Sequence, residues 1–357
     1  MSADIRIGDA VIRDGGPPFV IAEIGVNHNG DIALAREMVR AAKDAGADCA
    51  KFQTFRADRV ATSAAPKARY QLRSTSEAET QLEMLRGLEL SEAHHRDLMQ
   101  LCAEVGLAFL SAPYSVEDLE FLVALDAPAI KIPSALLVEP LLLRAAARSG
   151  RPVIASTGMA TLGEVDAAVA TFHEAGGRQL VLLQCTTDYP APVADANLRA
   201  MRLMHDAYDV PVGYSDHTPG HTAIVAAVAL GACVIEKHFT TDRSLPGPDQ
   251  ATSADPAEFR AMTEAARDAW HALGSGRKEP AVAERPNIVG MRRSLVAAAD
   301  VAPGTVIEAG MLGTKRPATG IAPGEWDRVV GTTARVAIAA DTVLEWWMLE
   351  ARGPEAG

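Results

Sequence analysis

The sequence is poor in several features that would narrow its class at once. Basic residues form no block, and 34 Lys and Arg against 46 Asp and Glu leave a formal net charge of -12, which speaks against a nucleic-acid or anionic-membrane surface. Cysteine is scarce: Cys49, Cys102, Cys185 and Cys233 stand singly in apolar runs without CxxC spacing, so a disulfide framework or thiolate metal site is not expected. They read as buried, reduced thiols. No apolar run reaches the length of a membrane-spanning helix. The opening MSADIRIGDAVIRDGG has acids and glycines where a secretory leader needs a charged and then an apolar stretch, so the expected location is the cytoplasm.

What the chain has instead is alternation. From about residue 18 to residue 275, eight short β-branched runs are separated by longer amphipathic stretches, the pattern of parallel βα units. The runs are FVIAEIG, CAKFQTF, AFLSAPY, AIKIPS, PVIASTG, LVLLQC, VPVGYSDH and CVIEKHF. Eight such units close a (β/α)8 TIM barrel. Helical stretches such as DIALAREMVRAAKDAG and EPLLLRAAARSG end in the glycine that favours a helix C-terminus. The expected organisation is α/β, with a barrel over residues 1–275, a Gly/Pro-rich linker over 276–290 and a small β-rich module over 291–350. In that module RRSLVAA, TVIEAG, ARVAIA and TVLEWWML read as strands, and Trp346 and Trp347 as core. The long segment from Arg56 to Leu90 is expected to cover the barrel mouth.

In a TIM barrel the site lies at the C-terminal strand ends, and residues two apart on a strand share a face. Polar residues collect there: Glu23, Lys51, Gln53, Ser111, Lys131, Ser134, Ser156, Thr157, Gln184, Ser215, His217, Glu236 and His238. One polar strand end is ordinarily a solvated group or helix cap. A ring of them places many groups in one mouth, where each needs a partner or a ligand. His217 and His238, near the ends of consecutive strands, suit a borderline divalent metal, and two imidazoles leave positions open for water and substrate. Glu236 shares a face with His238 and is available as ligand, acid or base. Lys51 and Lys131, with Ser134, Ser156 and Ser215, can hold a phosphate or carboxylate. His28 and His221 fall in loop or helix-start contexts and are weaker candidates.

The ordered segments IAEIGVNHNG, AGADCAKFQTF, QLEMLRGLELS, KIPSALL, VIASTGMATLGEV, CTTDYPAP, VGYSDHTPG and IEKHFTTDRSLPGPD, followed by SLVAAADVAPGTVI and KRPATGI, make the chain resemble the sialic acid synthase family. That resemblance implies a (β/α)8 barrel joined to a C-terminal antifreeze-like (SAF) domain, paired as a domain-swapped homodimer. The implied reaction condenses phosphoenolpyruvate with an N-acetylated hexosamine such as N-acetylmannosamine, through C–O cleavage and phosphate release. It makes His217 and His238 ligands of a divalent ion, Mn2+ first, with Mg2+ or Co2+ as alternatives. It assigns Lys51, Lys131, Ser134, Ser156 and Ser215 to phosphoenolpyruvate, joined by Thr187 and by the strand-end residues Gln53 and Ser111. Glu23, Tyr189 and Asp249 go to the sugar, and Arg316 reaches its N-acetyl group from the partner subunit. Glu23, Lys51 and Glu236 are the expected catalytic groups. Departures from the family pattern are Ala112, where many members carry a phosphate-holding threonine, GPDQ for GPDH, and RPATGI for RPGxGI.

Three alternatives stand beside this reading. The same chemistry can act on a legionaminic or pseudaminic acid precursor. A barrel aldolase can work through a Schiff base on Lys131 or Lys237. A non-catalytic sugar-binding protein is the reading from another class.

Overall fold

In the computed structural model, which describes residues 4–68, 71–75 and 79–350, the alternation of the sequence becomes a ring of parallel strands. A hairpin of β1 (Ile5–Ile7) and β2 (Ala10–Ile12) comes first. The ring follows: β3 (Phe19–Gly25), β4 (Cys49–Thr54), β5 (Ala108–Pro113), β6 (Ile130–Ile132), β7 (Val153–Ser156), β8 (Leu180–Cys185), β9 (Val212–Asp216) and β10 (Val234–His238). They pair in the order β5-β4-β3-β10-β9-β8-β7-β6. Strands β5 and β6 are neighbours without a described ladder between them, so the barrel is nearly closed.

Two apolar shells follow from the period of two. The inward set, among it Phe19, Ile21, Cys49, Leu110, Ile154, Leu183 and Val234, fills the barrel floor, and Ile5, Ile7 and Ile12 of the hairpin plug it from below. The outward set packs on the helices, as Val20, Phe52 and Tyr214 do against Met38, Leu98 and Ile224. The sequence reading missed the hairpin, because two three-residue strands are too short to show a period. No helix among the described residues is long and apolar enough to cross a membrane.

The helices start and stop where side chains satisfy their end groups. Asp31 caps Ile32–Asp44 by accepting from Ala33 N–H, and Thr161 and Glu164 form a capping box on Leu162–Glu174. Between β4 and β5 the long segment holds helices Ala57–Val60, Gln71–Ser74 and Gln81–Gly87. Residues 69–70 and 76–78 of that segment lie outside the described residues.

A second compact unit, Ser275–Gly357, follows the first, Met1–Gly274. The stretch expected as a bare linker carries the helix Arg285–Met291, started by Pro286. Its β pieces are β11 (Ser294–Ala297) with β12 (Leu312–Lys315), and β13 (Thr333–Ala334) with β14 (Leu349–Glu350). TVIEAG, read as a strand, makes only an isolated bridge from Val306 to Thr333. Leu295, Ile307, Leu312, Ile338 and Leu344 form this unit's own core. The tryptophans do not belong to it: the turn Trp346–Met348 sends Met348 inward, leaving Trp346 44% and Trp347 58% exposed. Trp346 lies under the Arg328 guanidinium, and Trp347 Nε1 donates to Glu345.

Candidate active site

Strand register, more than any single residue, assembles the site. In parallel pairing Lys51 stands opposite Glu23, His238 opposite Glu23 on the other side, and Glu236 opposite Ser215. Alternation then turns Glu23, Lys51, Gln53, Lys131, Ser156, Ser215, His217, Glu236 and His238 into one cavity of about 290 Å³ at the C-terminal mouth. Ser134, Thr187, Tyr189 and Asp249 line it from the loops beyond the strands.

Its floor is a buried cluster of two lysines and two carboxylates. Lys51 Nζ lies 3.0 Å from Glu23 Oε2 and 3.2 Å from Glu236 Oε1, and Lys131 Nζ lies 3.4 Å from the same Glu236 oxygen. Lys131 also donates to Ser156 Oγ at 2.7 Å, and Ser215 Oγ donates to Glu236 at 3.0 Å. The environments split the two acids. Burial lifts Glu23 to about 7, with Lys51 restraining it and Glu236 adding to the rise. Burial pushes Glu236 up as well, but Lys131, Lys51 and the Ser215 bond overcome it and take it down to about 2. Glu236 is therefore a fixed counter-charge, and Glu23 is the carboxyl that changes protonation near neutral pH. Burial lowers Lys131. A chain of bonds continues outward from Glu23, since Gln53 Nε2 donates to Glu23 Oε1 and Tyr114 OH donates to Gln53 Oε1.

Beside this cluster the rings of His217 and His238 stand 5.3 Å apart, with Tyr189 at 4.2 Å from the first and 5.5 Å from the second. His217 Nδ1 donates to the Thr186 carbonyl at 2.7 Å, which leaves the lone pair on Nε2. Burial, with the nearby His217, holds His238 well below its ordinary value and keeps it neutral. Its Nδ1 is buried without a hydrogen-bond partner, 3.7 Å from Asp249 Oδ2, and Asp249 Oδ1 also has none. Burial raises Asp249 to about 6. Among the described residues no group of three or more His, Cys, Asp or Glu is set to enclose a metal. Two imidazoles, one oriented by a backbone carbonyl and one unpartnered, fit a cation that keeps open positions.

The loops after β6, β7 and β8 converge beside Lys131. Ser134 Oγ accepts from Gly158 N–H at 3.0 Å. Only glycine fits at 158, because a Cβ there would meet Thr187 Oγ1 at 2.3 Å and Ser134 Oγ at 2.8 Å. Thr187 Oγ1 is buried with no partner of its own. Backbone N–H, hydroxyls and a lysine gathered this closely are suited to an anion.

Some expectations fail. Ser111 faces out of the barrel: it bonds Thr54 Oγ1, which in turn contacts His95, and Ala112 takes the inward place. The sequence run and the strand both begin at Ala108, and with Leu110 inward the period of two turns Ser111 out and Ala112 in. Gln184 likewise points outward and donates to the Ala196 carbonyl. Lys237, an alternative nucleophile, turns to the helix side and binds Asp216. His28 is buried and bonded to Gly30 N–H, and His221 precedes the helix Thr222–Ala229. Gln250, in GPDQ, bonds the Asn27 carbonyl and Thr240, so it supports the loop that carries Asp249. Arg316 lies in the second unit, where its Nε donates to the Met291 carbonyl.

Other residues were overlooked. Tyr114 sits just past a strand end. Cys185, 3.9 Å from His217 Nδ1, shares the inward face of Leu183 and lines the mouth, which its apolar sequence context does not signal. From the long segment, Val60, Gln71, Gln81, Met84, Leu85 and Leu88 line the cavity. Met84 and Leu88 are anchored on Val26 and Phe55, which fixes this cover to the ends of β3 and β4.

Comparison with known proteins supplies the family. The NeuB family model matches residues 38–278 and the SAF domain model residues 292–350. The N,N'-diacetyllegionaminic acid synthase of Legionella pneumophila is 45% identical over 337 residues, covering 93% of this chain and 95% of that one. The enzyme of the same name from Campylobacter jejuni is 42% identical, over 88% and 95%. A crystal structure of N-acetylneuraminic acid synthetase from Leptospira borgpetersenii, in complex with citrate, superposes with a TM-score of 0.71 at 34% identity, over 81% of this chain and 96% of that one. With its barrel, its SAF domain and full-length relatives in hand, the chain belongs to the NeuB family and is an enzyme of the sialic acid synthase type.

Proposed function

We propose that the protein condenses phosphoenolpyruvate with an open-chain acetamido hexose in the cytoplasm, giving a nine-carbon 2-keto acid and inorganic phosphate. The observation that carries this is the single mouth in which Lys51, Lys131, Glu23 and Glu236 lie beside His217 and His238. His217 and His238 would hold a divalent cation, Mn2+ first, which when bound supplies Lewis-acid polarisation of a carbonyl.

The chain's own groups do the rest. Lys131, Ser134, Ser156, Thr187 and the Gly158 N–H seat the phosphate, and Lys51 with Ser215 the carboxylate side of phosphoenolpyruvate. The arriving anion competes with Glu23 and Glu236 for the lysines, which favours proton uptake by Glu23. C3 of phosphoenolpyruvate bonds to C1 of the sugar aldehyde, water adds at C2, and the tetrahedral centre expels phosphate by C–O cleavage. Glu23 handles the proton nearest the new bond, Glu236 holds the two lysines, and the lysines neutralise the departing phosphate. Tyr189 and Asp249 position the sugar, and Arg316 reaches it from the second copy of a domain-swapped homodimer.

For the sugar we favour a 2,4-diacetamido-2,4,6-trideoxyhexose over N-acetylmannosamine. Two supports favour it: the 45% and 42% identity to the two legionaminic acid synthases, and the apolar wall of Val60, Met84, Leu85 and Leu88, which suits a deoxygenated sugar end. The 34% identity to the Leptospira synthetase keeps N-acetylmannosamine as the second reading. Incubation with phosphoenolpyruvate, Mn2+ and a panel of acetamido hexoses, read by product mass, decides between them. Bridging 18O in phosphoenolpyruvate is expected in inorganic phosphate, and its retention in the keto acid overturns C–O cleavage.

A further inference from the structure

Behind the two imidazoles, on the helix side of the sheet, lies a buried ion pair that takes no part in the mouth. Alternation sends Ser215, His217, Glu236 and His238 inward, and Asp216 and Lys237 outward. The Asp216 side chain is 0% and that of Lys237 8% exposed, and the two residues stand directly opposite in the β9–β10 register. Lys237 Nζ donates to Asp216 Oδ2 at 2.6 Å and to the Thr218 carbonyl at 2.7 Å, and Asp216 Oδ1 accepts from Thr218 N–H at 2.8 Å. The Asp216 side chain just before His217 and the Thr218 carbonyl just after it are thereby tied to the side chain of the residue next to His238.

On the other six barrel strands the outward residues near the same end are uncharged: Ala22, Thr54, Ser111, Ile132, Ala155 and Gln184. The charged pair sits on the two strands that carry the histidines. A buried ion pair contributes little net stability over apolar side chains of similar size, so stability gives no reason for its place. Its bonds do fix direction, because a lysine held between a carboxylate and a carbonyl sets the spacing of the chains that bear it.

We infer that Asp216 and Lys237 are positioning residues, a clamp that sets the separation and orientation of His217 and His238 for the divalent cation. This rests on the metal reading proposed above. The clamp acts through the backbone: Asp216 and Lys237 hold Thr218, Thr218 holds the chain at His217, and His217 Nδ1 then meets the Thr186 carbonyl.

The test measures Mn2+ binding to the full-length protein by electron paramagnetic resonance without substrates. D216N/K237M removes both charges and keeps an acceptor for Thr218 N–H. It is expected to melt within a few degrees of the wild type and to keep its KM for phosphoenolpyruvate, while its Mn2+ Kd rises at least about tenfold and added Mn2+ restores part of kcat. K237R, which keeps the charge but moves its donors, is the second arm and is expected to weaken Mn2+ binding by roughly threefold or more. A folded double variant, or K237R where the double variant does not fold, with wild-type Mn2+ affinity overturns the clamp. A wild type that binds no Mn2+ overturns the metal reading and the clamp with it.

Discussion

Glu23 and Ser111 show how far one side chain's role depends on the face it takes. Ser111 bonds Thr54 behind the barrel, so Ser111→Ala is expected to change the KM for phosphoenolpyruvate by less than about threefold. Ser134→Ala, which removes the hydroxyl at Gly158 N–H, is expected to raise it roughly tenfold or more. Initial rates against phosphoenolpyruvate concentration separate the two. Replacing His217 or His238 with alanine is expected to lower Mn2+-dependent turnover at least ~100-fold with the fold kept. Full activity after chelation and desalting would rule out the metal role. Glu23, Ser111, Ser134, His217 and His238 all read as polar strand-end groups in the sequence; which of them reach the mouth is tertiary information.

At the scale of elements, the barrel depends on close passages between strands and on a cover pinned at two points. A Cβ on Gly213 would meet the Val234 carbonyl at 2.3 Å and Leu183 Cδ2 at 2.6 Å. Gly213→Ala is therefore expected to cost about 1–3 kcal/mol in denaturant unfolding, because rigid backbone cannot give way as a side chain would. The helix Gln81–Gly87 is held by the small cluster of Val26, Phe55, Met84 and Leu88. Met84→Ala is expected to loosen this cover, raising the sugar KM more than that for phosphoenolpyruvate and speeding proteolysis within residues 56–90. The eight barrel strands were legible because each is a run of β-branched residues between helical periods, and their bounds moved by only a residue or two. The small second unit was less legible, since its order comes from bridges and turns: β12 lies on LGTK, and the paired tryptophans stay outside.

For the whole molecule, the buried charges link stability to pH. Glu23 binds a proton more tightly folded than unfolded, with its value moving from 4.5 to about 7. Its contribution is full below about 4.5 and is lost as pH rises through 7. Glu236 has the opposite sign: lowered to about 2, it contributes above 4.5 and loses this as pH falls toward 2. Glu23→Gln removes the first dependence, so its stability relative to the wild type is expected to rise between pH 5 and 8, by on the order of 3 kcal/mol at most. Denaturant melts of both proteins across that range check the sign. In the proposed dimer, Arg316→Ala is expected to raise the sugar KM far more than that for phosphoenolpyruvate. Mixing it with an inactive barrel variant such as His238→Ala is expected to recover part of the activity, because one mixed site then has an intact barrel and an intact arginine.

The family was legible in the sequence, because its ordered segments are local patterns that survive without coordinates, whereas the strand-end polar groups alone left a Schiff-base aldolase open. The sequence by itself determined the eight-strand count and the division into barrel and small β unit for the same reason. Which polar residues share the mouth is a property of the folded barrel, since the inward face of each strand is set by its neighbours and adjacent residues point to opposite sides. The tertiary structure alone set Glu23 near 7 and Glu236 near 2, because two identical carboxyls differ only in the depth of burial and the number of lysines around them. It alone revealed the pair Asp216 and Lys237 behind His217 and His238, whose partnership spans twenty-one residues of chain and exists only when β9 and β10 lie side by side.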